Sequence, residues 1–422
     1  MNNTKKSKTY MTMGKFFVIM SAIITPIFIC LYVISINEGG LIDTRFAQML
    51  PGLIFWLVFF FCIGVFIISK NKEKKGNKKK VGASVLLLSG YVMELAGLML
   101  LLYGTNSTFK NWLISTAMET FNYQHVATSL YSDKDIREII NKDKNKNVTD
   151  YELITFDEMN FNQERYANEY EEQVLKKDYE DQIYKIIKIK GTTRYEKFKY
   201  EGFIAVIYDP SKISLAPSSG AGLHEDSYGE TIDTIAKANN ALVAINAGGW
   251  YDPTWTSNGG IPHGLVISNG KFQSEYTRAV YTGGIIGFDE QDRLILKYMS
   301  KDEALASGIR DCVDFGPFLV VNGKNQYEGR IGGWAYGPRT GIGQRKDGIV
   351  LLLVLDGRQA HSYGVDVNDM ADIFMQYGAY NAANLDGGTS SAMYADGEII
   401  NIPHSGSGRL VRQLPNAWIV TE

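Results

Sequence analysis

The strongest constraint in this sequence is a set of three apolar runs, at 16–36, 49–69 and 81–103. Each reaches the ~20 residues that a helix needs to cross the hydrocarbon core of a bilayer. A cleaved signal peptide accounts for one such run but not for three. Pro26, inside the first run, is tolerated where neighbouring helices satisfy the backbone groups it frees. Lysines set the orientation. Lys5, Lys6, Lys8 and Lys15 precede the first run, and Lys70, Lys72, Lys74, Lys75, Lys78, Lys79 and Lys80 crowd the loop between the second and third. The loop at 37–48 has only Arg45. The positive-inside rule therefore puts the N-terminus and the lysine loop in the cytoplasm, and an odd number of spans leaves everything after residue 103 outside. Glu94 lies within the third run. An ionisable group is costly in lipid, and with no relay in view it is read as packing toward the other two spans.

The chain has 422 residues, enough for a three-helix membrane anchor (1–104) plus one or two globular parts. Its 43 basic and 46 acidic residues nearly balance, which argues against a nucleic-acid partner, whose binder would carry a basic excess. The lipid bilayer is the partner that the apolar runs imply; nothing in the sequence specifies an oligomeric state. Of the three cysteines, only Cys312 lies beyond the apolar runs, so the outer part has no internal disulfide to form. Cys312 is read as a small buried hydrophobe.

Two textures follow the third span. Residues 111–131 place Trp112, Met118, Phe121, His125 and Val126 near helical spacing, and 133–181 is rich in charge. Residues 105–182 are therefore expected to form an extracellular helical stalk or lid. From Tyr184 onward short apolar strands alternate with glycines and turn dipeptides. Two helical segments interrupt this pattern, at 231–239 and 367–377, the second capped by Asp366 or Asn368. The expected fold for 183–422 is α+β, with a mixed or largely antiparallel sheet and flanking helices.

Four polar clusters end or interrupt apolar strands in this region. They are 244–251, ending in paired glycines; 336–343, with Pro338-Arg339-Thr340; Asp356-Gly357-Arg358 after the apolar run 349–355; and 384–391, with Asp386-Gly387-Gly388. Arginine beside a hydroxyl suits a phosphate, since its fork donates two parallel hydrogen bonds. Taken singly, each cluster is equally a turn, a bulge or a surface loop. Their occurrence together at strand ends, where sites are commonly built, points to one site.

The order of these segments resembles the phosphodiester glycosidase family. It runs Ala-Ile-Asn (244–246), His-Gly-Leu-Val-Ile-Ser-Asn-Gly-Lys (263–271), Phe-Gly-Pro-Phe-Leu-Val-Val-Asn-Gly (315–323), Pro-Arg-Thr (338–340), Asp-Gly-Arg (356–358) and Leu-Asp-Gly-Gly-Thr-Ser-Ser (385–391), closing with Arg409 and Asn416. The likeness spans about 184–422. The family often has Asn-Gly-Gly-Phe where this chain has Asn246-Ala247-Gly248-Gly249-Trp250.

The resemblance implies a hydrolase that splits a sugar-1-phosphodiester into free sugar and a phosphomonoester, with a carbohydrate phosphodiester as substrate. It casts Arg339 and Thr340 as phosphate-binding groups. Asp386 becomes the leading carboxylate for water activation or for stabilising an oxocarbenium-like centre, with Asp356 second. His263 stands between an acid–base and a structural role. Asn246, Gly248, Gly388, Ser391 and Arg409 are candidates for binding substrate. No His-x-x-x-His, Cys-x-x-Cys or EF-hand spacing marks a metal site; no cofactor is certain, and a divalent cation on Asp356 and Asp386 stays open. Two other readings stand beside this one: a membrane-anchored glycan phosphotransferase in wall-polymer or exopolysaccharide assembly, and a non-catalytic polysaccharide-binding module.

Overall fold

The computed structural model describes residues 107–119, 124–139, 151–194, 197–224, 226–251, 258–276, 284–327, 336–404 and 411–422. The three expected spans, with Glu94, lie outside them. Among the described residues no helix is long and apolar enough to cross a membrane. The chain divides into two compact units, Met1–Thr116 and Ala117–Glu422. The helix expected over 111–131 is described as two, α1 (Ser107–Glu119) and α2 (Gln124–Leu130).

The described residues of the second unit form three sheets, and every strand pairing among them is antiparallel. The largest contains, in spatial order, β1 (Tyr184–Thr192), β2 (Lys199–Ile207), β13 (Val350–Leu355), β12 (Arg339–Arg345), β14 (Ala379–Asn384), β10 (Phe318–Val321) and β11 (Lys324–Asn325). The second is β16 (Glu398–Ile399), β15 (Met393–Ala395), β4 (Val243–Asn246), β17 (Asn416–Val420) and β3 (Ile213–Pro217). The third is β6 (Lys271–Tyr276), β5 (Gly264–Ser268), β9 (Ile309–Asp314), β7 (Ile285–Asp289) and β8 (Leu294–Lys297). The expected α+β class with largely antiparallel sheets is what forms.

Strand β13 explains the layering. Its side chains are all fully buried, and the period of two sends them into different cores. Val350, Leu352 and Val354 join Ile245, Phe288 and Trp418 from the smaller sheets. Leu351, Leu353 and Leu355 join Met370 and Phe374 on the opposite face. The seven-stranded sheet is thus a middle layer covered on both faces, which is why its strands read as continuous apolar runs rather than clean alternations.

Helix α4 (Val367–Gln376) covers one of those faces. Asp366 caps it, accepting from the Asp369 backbone, while the Asp369 side chain accepts from the Asp366 backbone. The helix lies so close to β12 that a Cβ at Gly341 or Gly343 would come within 2.8 Å of the Phe374 ring. Both glycines belong to the polar cluster at 336–343, which the sequence assigned to the site. Their role is instead to admit the helix.

Residues 151–182 depart from the expectation of a solvated stalk. Tyr151 donates from its hydroxyl to the Leu294 carbonyl at 2.7 Å, and the Asp157 amide donates to Lys346 at 2.9 Å. Helix α3 (Glu169–Leu175) buries Val174 and Leu175 in the same core as Ile187, Ile204 and Leu351. The Phe161 and Tyr208 rings meet edge to face at 5.4 Å. Charge on the outward faces hid these few apolar anchors in the sequence. Cys312 is fully buried in the third sheet, where burial pushes its thiol pKa up, and it behaves as the small hydrophobe expected.

A protein starting at Gln182 should therefore be less stable than one starting at Tyr151. Burying Val174 and Leu175 contributes roughly 1.5–3 kcal/mol each, a large share of a marginal total. Urea denaturation of the two checks this; equal midpoints would show that α3 is dispensable.

Candidate functional site

The sheets meet at one rim, and the polar clusters lie there. Strands β13 and β14 end at this rim and β12 begins there, since Arg339 pairs with Leu355 and Gly341 with Asn384. From the second sheet come the end of β4 and the start of β17, through the pair Asn246 and Ala417. The third sheet adds the start of β5, with the His263 amide donating to Gly249 at 2.9 Å.

Two side chains lock the first sheet to the second. The Thr340 hydroxyl donates to Asn246 Oδ1 at 2.7 Å, and Asn246 Nδ2 donates to the Asp386 carbonyl at 2.6 Å. Asn246 Oδ1 also accepts from the Ala392 amide at 3.2 Å. Both side chains are fully buried. Thr340 and Asn246 thus brace the site, and the expected donation from Thr340 to phosphate and contact of Asn246 with sugar hydroxyls are replaced by these bonds. Gly248 is likewise packed inward, its amide donating to Asn416 Oδ1 at 2.8 Å.

The turn that follows β14 is held by its backbone. The Leu385 amide donates to Thr340, Asp386 to Ala247 and Gly388 to Pro338, at 2.9, 3.1 and 2.9 Å. Asp386, the first residue of the turn, is half-buried. Gly388 has φ +66°, a left-handed conformation that favours glycine. Ser391 is fully buried, and its Oγ has no hydrogen-bond partner.

Three arginines lie beside successive residues of this turn. A Cβ at Gly387 would lie 3.8 Å from Arg339 Cδ, and one at Gly388 would lie 3.6 Å from Arg358 Nη1. Arg412 Nη1 donates to Thr389 Oγ1 at 3.2 Å, with its guanidinium over the Trp250 ring at 4.6 Å. Arg339 is nearly buried and donates from Nε to the Val365 carbonyl at 3.2 Å, whereas Arg358 is exposed. Arg358 stood inside a quoted motif without being chosen. Arg412 gave no sequence signal beyond its nearness to Arg409, which lies outside the described residues.

Asp356 is placed differently from Asp386. It is buried, and Oδ1 accepts from Asn401 Nδ2 and the Ile402 amide, both at 3.0 Å. Oδ2 lies 3.0 Å from His361 Nε2. A carboxylate only accepts, so Nε2 carries the proton and Nδ1 holds the lone pair of the neutral ring. Asp356 thus holds the partly exposed His361 from below, with its oxygens engaged by Asn401, Ile402 and His361. A cation at Asp356 would have to displace these donors. Among the described residues no group of three or more His, Cys, Asp or Glu side chains is gathered for a metal. His361 was missed: its signal, a histidine five residues after Asp356, is weak without the turn that folds it back. His263 is mostly buried, which lowers its pKa and keeps it neutral at neutral pH.

The family model for phosphodiester glycosidase matches residues 239–421, the stretch that builds this rim. That stretch resembles a phosphodiester glycosidase domain. Over 190 residues, 43% of this chain and 28% of the relative, it is 35% identical to the SPbeta prophage-derived uncharacterized protein YomE of Bacillus subtilis (strain 168). It is 23% identical over 233 residues to N-acetylglucosamine-1-phosphodiester alpha-N-acetylglucosaminidase of Mus musculus, covering 50% of this chain and 43% of that protein. The chain thus spans less than half the length of these relatives. Among solved structures, the zebrafish N-acetylglucosamine-1-phosphodiester alpha-N-acetylglucosaminidase catalytic domain, auto-inhibited by its pro-peptide, aligns with a TM-score of 0.48 and 22% identity. That alignment covers 57% of this chain and 83% of the other.

Loss of the brace between the two sheets has a measurable cost. Thr340→Val leaves Asn246 Oδ1 with one donor in place of two, and should lower unfolding free energy by about 1–3 kcal/mol. Thr340→Ser should restore most of it. Chemical denaturation of both variants checks this, and an unchanged midpoint for Thr340→Val would remove the brace from the argument.

Proposed function

We propose that this domain hydrolyses a sugar-1-phosphodiester, releasing free sugar and a phosphomonoester. The observation that carries the reading is the set of three arginines against Gly387, Gly388 and Thr389, beside the half-buried Asp386. A phosphodiester brings one negative charge, and a second develops as the bond from the anomeric carbon to oxygen breaks. Guanidinium groups fixed beforehand stabilise that developing charge at little reorganisation cost. The departing phosphate is acidic and needs little protonation. The anomeric carbon does need a partner: Asp386 faces it as the anion that stabilises the oxocarbenium-like centre or takes the proton from attacking water. His361, oriented by Asp356, supplies a nitrogen lone pair or a proton at the rim. The oxygen of water ends on the anomeric carbon and its proton on the bulk or the phosphate. The relatives named for N-acetylglucosamine-1-phosphodiester cleavage support this class of substrate.

Asp386→Asn should reduce turnover of an N-acetylglucosamine-1-phosphodiester by several orders while circular dichroism stays unchanged. Arg339→Lys keeps the charge but loses the fork; it should cost about 2 kcal/mol in kcat/KM, in line with a charge-assisted hydrogen bond. Free sugar release measures both. Near-normal hydrolysis by Asp386→Asn would defeat the assignment.

We further infer that the domain stands outside the cell on a three-span anchor, where an extracellular glycan or wall polymer is the accessible substrate. The support is the lysine asymmetry around the runs at 16–36, 49–69 and 81–103. Protease added to intact cells should remove the domain; protection until lysis would reverse the orientation.

A further inference from the structure

Helix α4 starts beside the rim, and two carboxylates set against each other hold its first turn. Asp366 Oδ1 accepts from the Asp369 amide at 2.9 Å, and Asp369 Oδ2 accepts from the Asp366 amide at 3.2 Å. Asp369 is buried, and its Oδ1 accepts from the Arg194 amide at 2.7 Å. The Arg194 guanidinium reaches the next turn of the helix, where Nη2 donates to Asp372 Oδ1 at 2.7 Å. Among the described residues, the charged and titratable groups around Asp369 are Asp366 and Asp372 on its own helix, Arg194 just beyond β1, and Tyr200 on β2 with Tyr170 of α3 behind it.

Both sides of this cluster lead to Arg339. Val365, immediately before Asp366, exchanges backbone bonds with Gly337 at 3.1 and 3.2 Å, and its carbonyl accepts from Arg339 Nε at 3.2 Å. On the Arg194 side, the Thr193 amide donates to the Phe198 carbonyl at 2.8 Å. The Phe198 ring then meets Tyr336, the neighbour of Gly337, edge to face at 5.0 Å. Whatever holds Asp366, Asp369 and Arg194 together therefore also holds the backbone that anchors Arg339.

Two carboxylates this close are costly to keep ionised together. Burial, and then the charge of Asp366, pushes the Asp369 carboxyl up to about 6. The folded chain thus keeps a proton that the unfolded chain, with an ordinary carboxyl near about 4, releases. The stability this proton brings is present at low pH and is lost as pH rises through about 6.

We propose that Asp366 and Asp369 form a proton-operated latch on the site. With a proton between them they clamp the start of α4 and the Arg194 segment; without it the clamp loosens and Arg339 loses its fixed direction. Asp369 is a positioning residue in this scheme, acting through Val365. Its effect on turnover rests on the hydrolase reading given above, whereas its effect on the fold does not.

The test sets the full chain beside Asp369→Asn, a neutral side chain of the same shape that can still accept from the Arg194 amide. The unfolding constant of the unsubstituted chain, divided by that of the variant, should fall about three- to tenfold from pH 7.5 to pH 5. A constant ratio overturns the latch. Hydrogen exchange, corrected for its intrinsic pH dependence, should slow at both Arg194 and Val365 over the same range in the unsubstituted chain but not in the variant. Slowing at Arg194 alone overturns the link to Arg339. With an N-acetylglucosamine-1-phosphodiester, KM of the unsubstituted chain relative to the variant should rise about threefold from pH 5 to pH 7.5, the scale of one weakened hydrogen bond, with relative kcat unmoved. Identical pH profiles overturn the positioning role. If neither protein cleaves the diester at any pH, the hydrolase reading fails, while the first two measurements still decide the latch. If Asp369→Asn does not fold, Asp366→Asn takes its place and should show a weaker pH dependence of unfolding than the unsubstituted chain; an equal one overturns the proposal.

Discussion

The site depends on one buried side chain, Asn246. Its amide takes a hydroxyl donor from Thr340 on β12, an amide donor from Ala392, and gives its own hydrogen to the Asp386 carbonyl. A buried amide left unpaired costs a few kcal/mol, so these bonds form together or the interface between the two sheets does not close. The consequence for chemistry is positional. Asp386 is held from behind through its backbone, which fixes the start of the turn at the rim.

The two aspartates show how environment divides roles. Both follow apolar strands and both precede glycine, so composition alone treats them as equals. Asp356 is buried under Asn401, Ile402 and His361, and a carboxylate saturated with donors has little left for substrate. Asp386 is bound through its main chain, and the arginines stand beside the turn that it opens. A like division separates Arg339, anchored on the Val365 carbonyl, from the exposed Arg358. The first fixes a direction and the second adapts to what arrives.

Much of this was readable from residue order. The alternation of short apolar runs and turn residues gave an α+β fold, Asp366 marked a helix start, and all four polar clusters reached one rim. What stayed hidden needed contacts between distant segments. Asn401 holds Asp356 from 45 residues away, and nothing in Glu398-Ile399-Ile400-Asn401 announces it. Gly341 and Gly343 looked like site glycines because the sequence does not show that Phe374 rests on them. The few apolar anchors of 151–182 were outnumbered by charges on its outer faces. Sequence patterns report periodic burial well; single anchors and individual hydrogen bonds leave no period.

That distance also bears on what kind of site this is. Thr340 and Asn246 are 94 residues apart and Asn246 and Asp386 are 140 apart. Bringing them together costs loop-closure entropy that rises only slowly with length, so the long separations are affordable once the sheets pair. Most of the bonds that fix the rim are made by backbone groups at strand ends, which the sheets place regardless of side chain. The arginines are then carried on turns and strand ends around a fixed frame. A change at the exposed Arg358 leaves Asn246 undisturbed, whereas a change at Asn246 reaches Thr340, Asp386 and Ala392 together. The physical hierarchy therefore separates a frame that the core enforces from a perimeter that is free to vary.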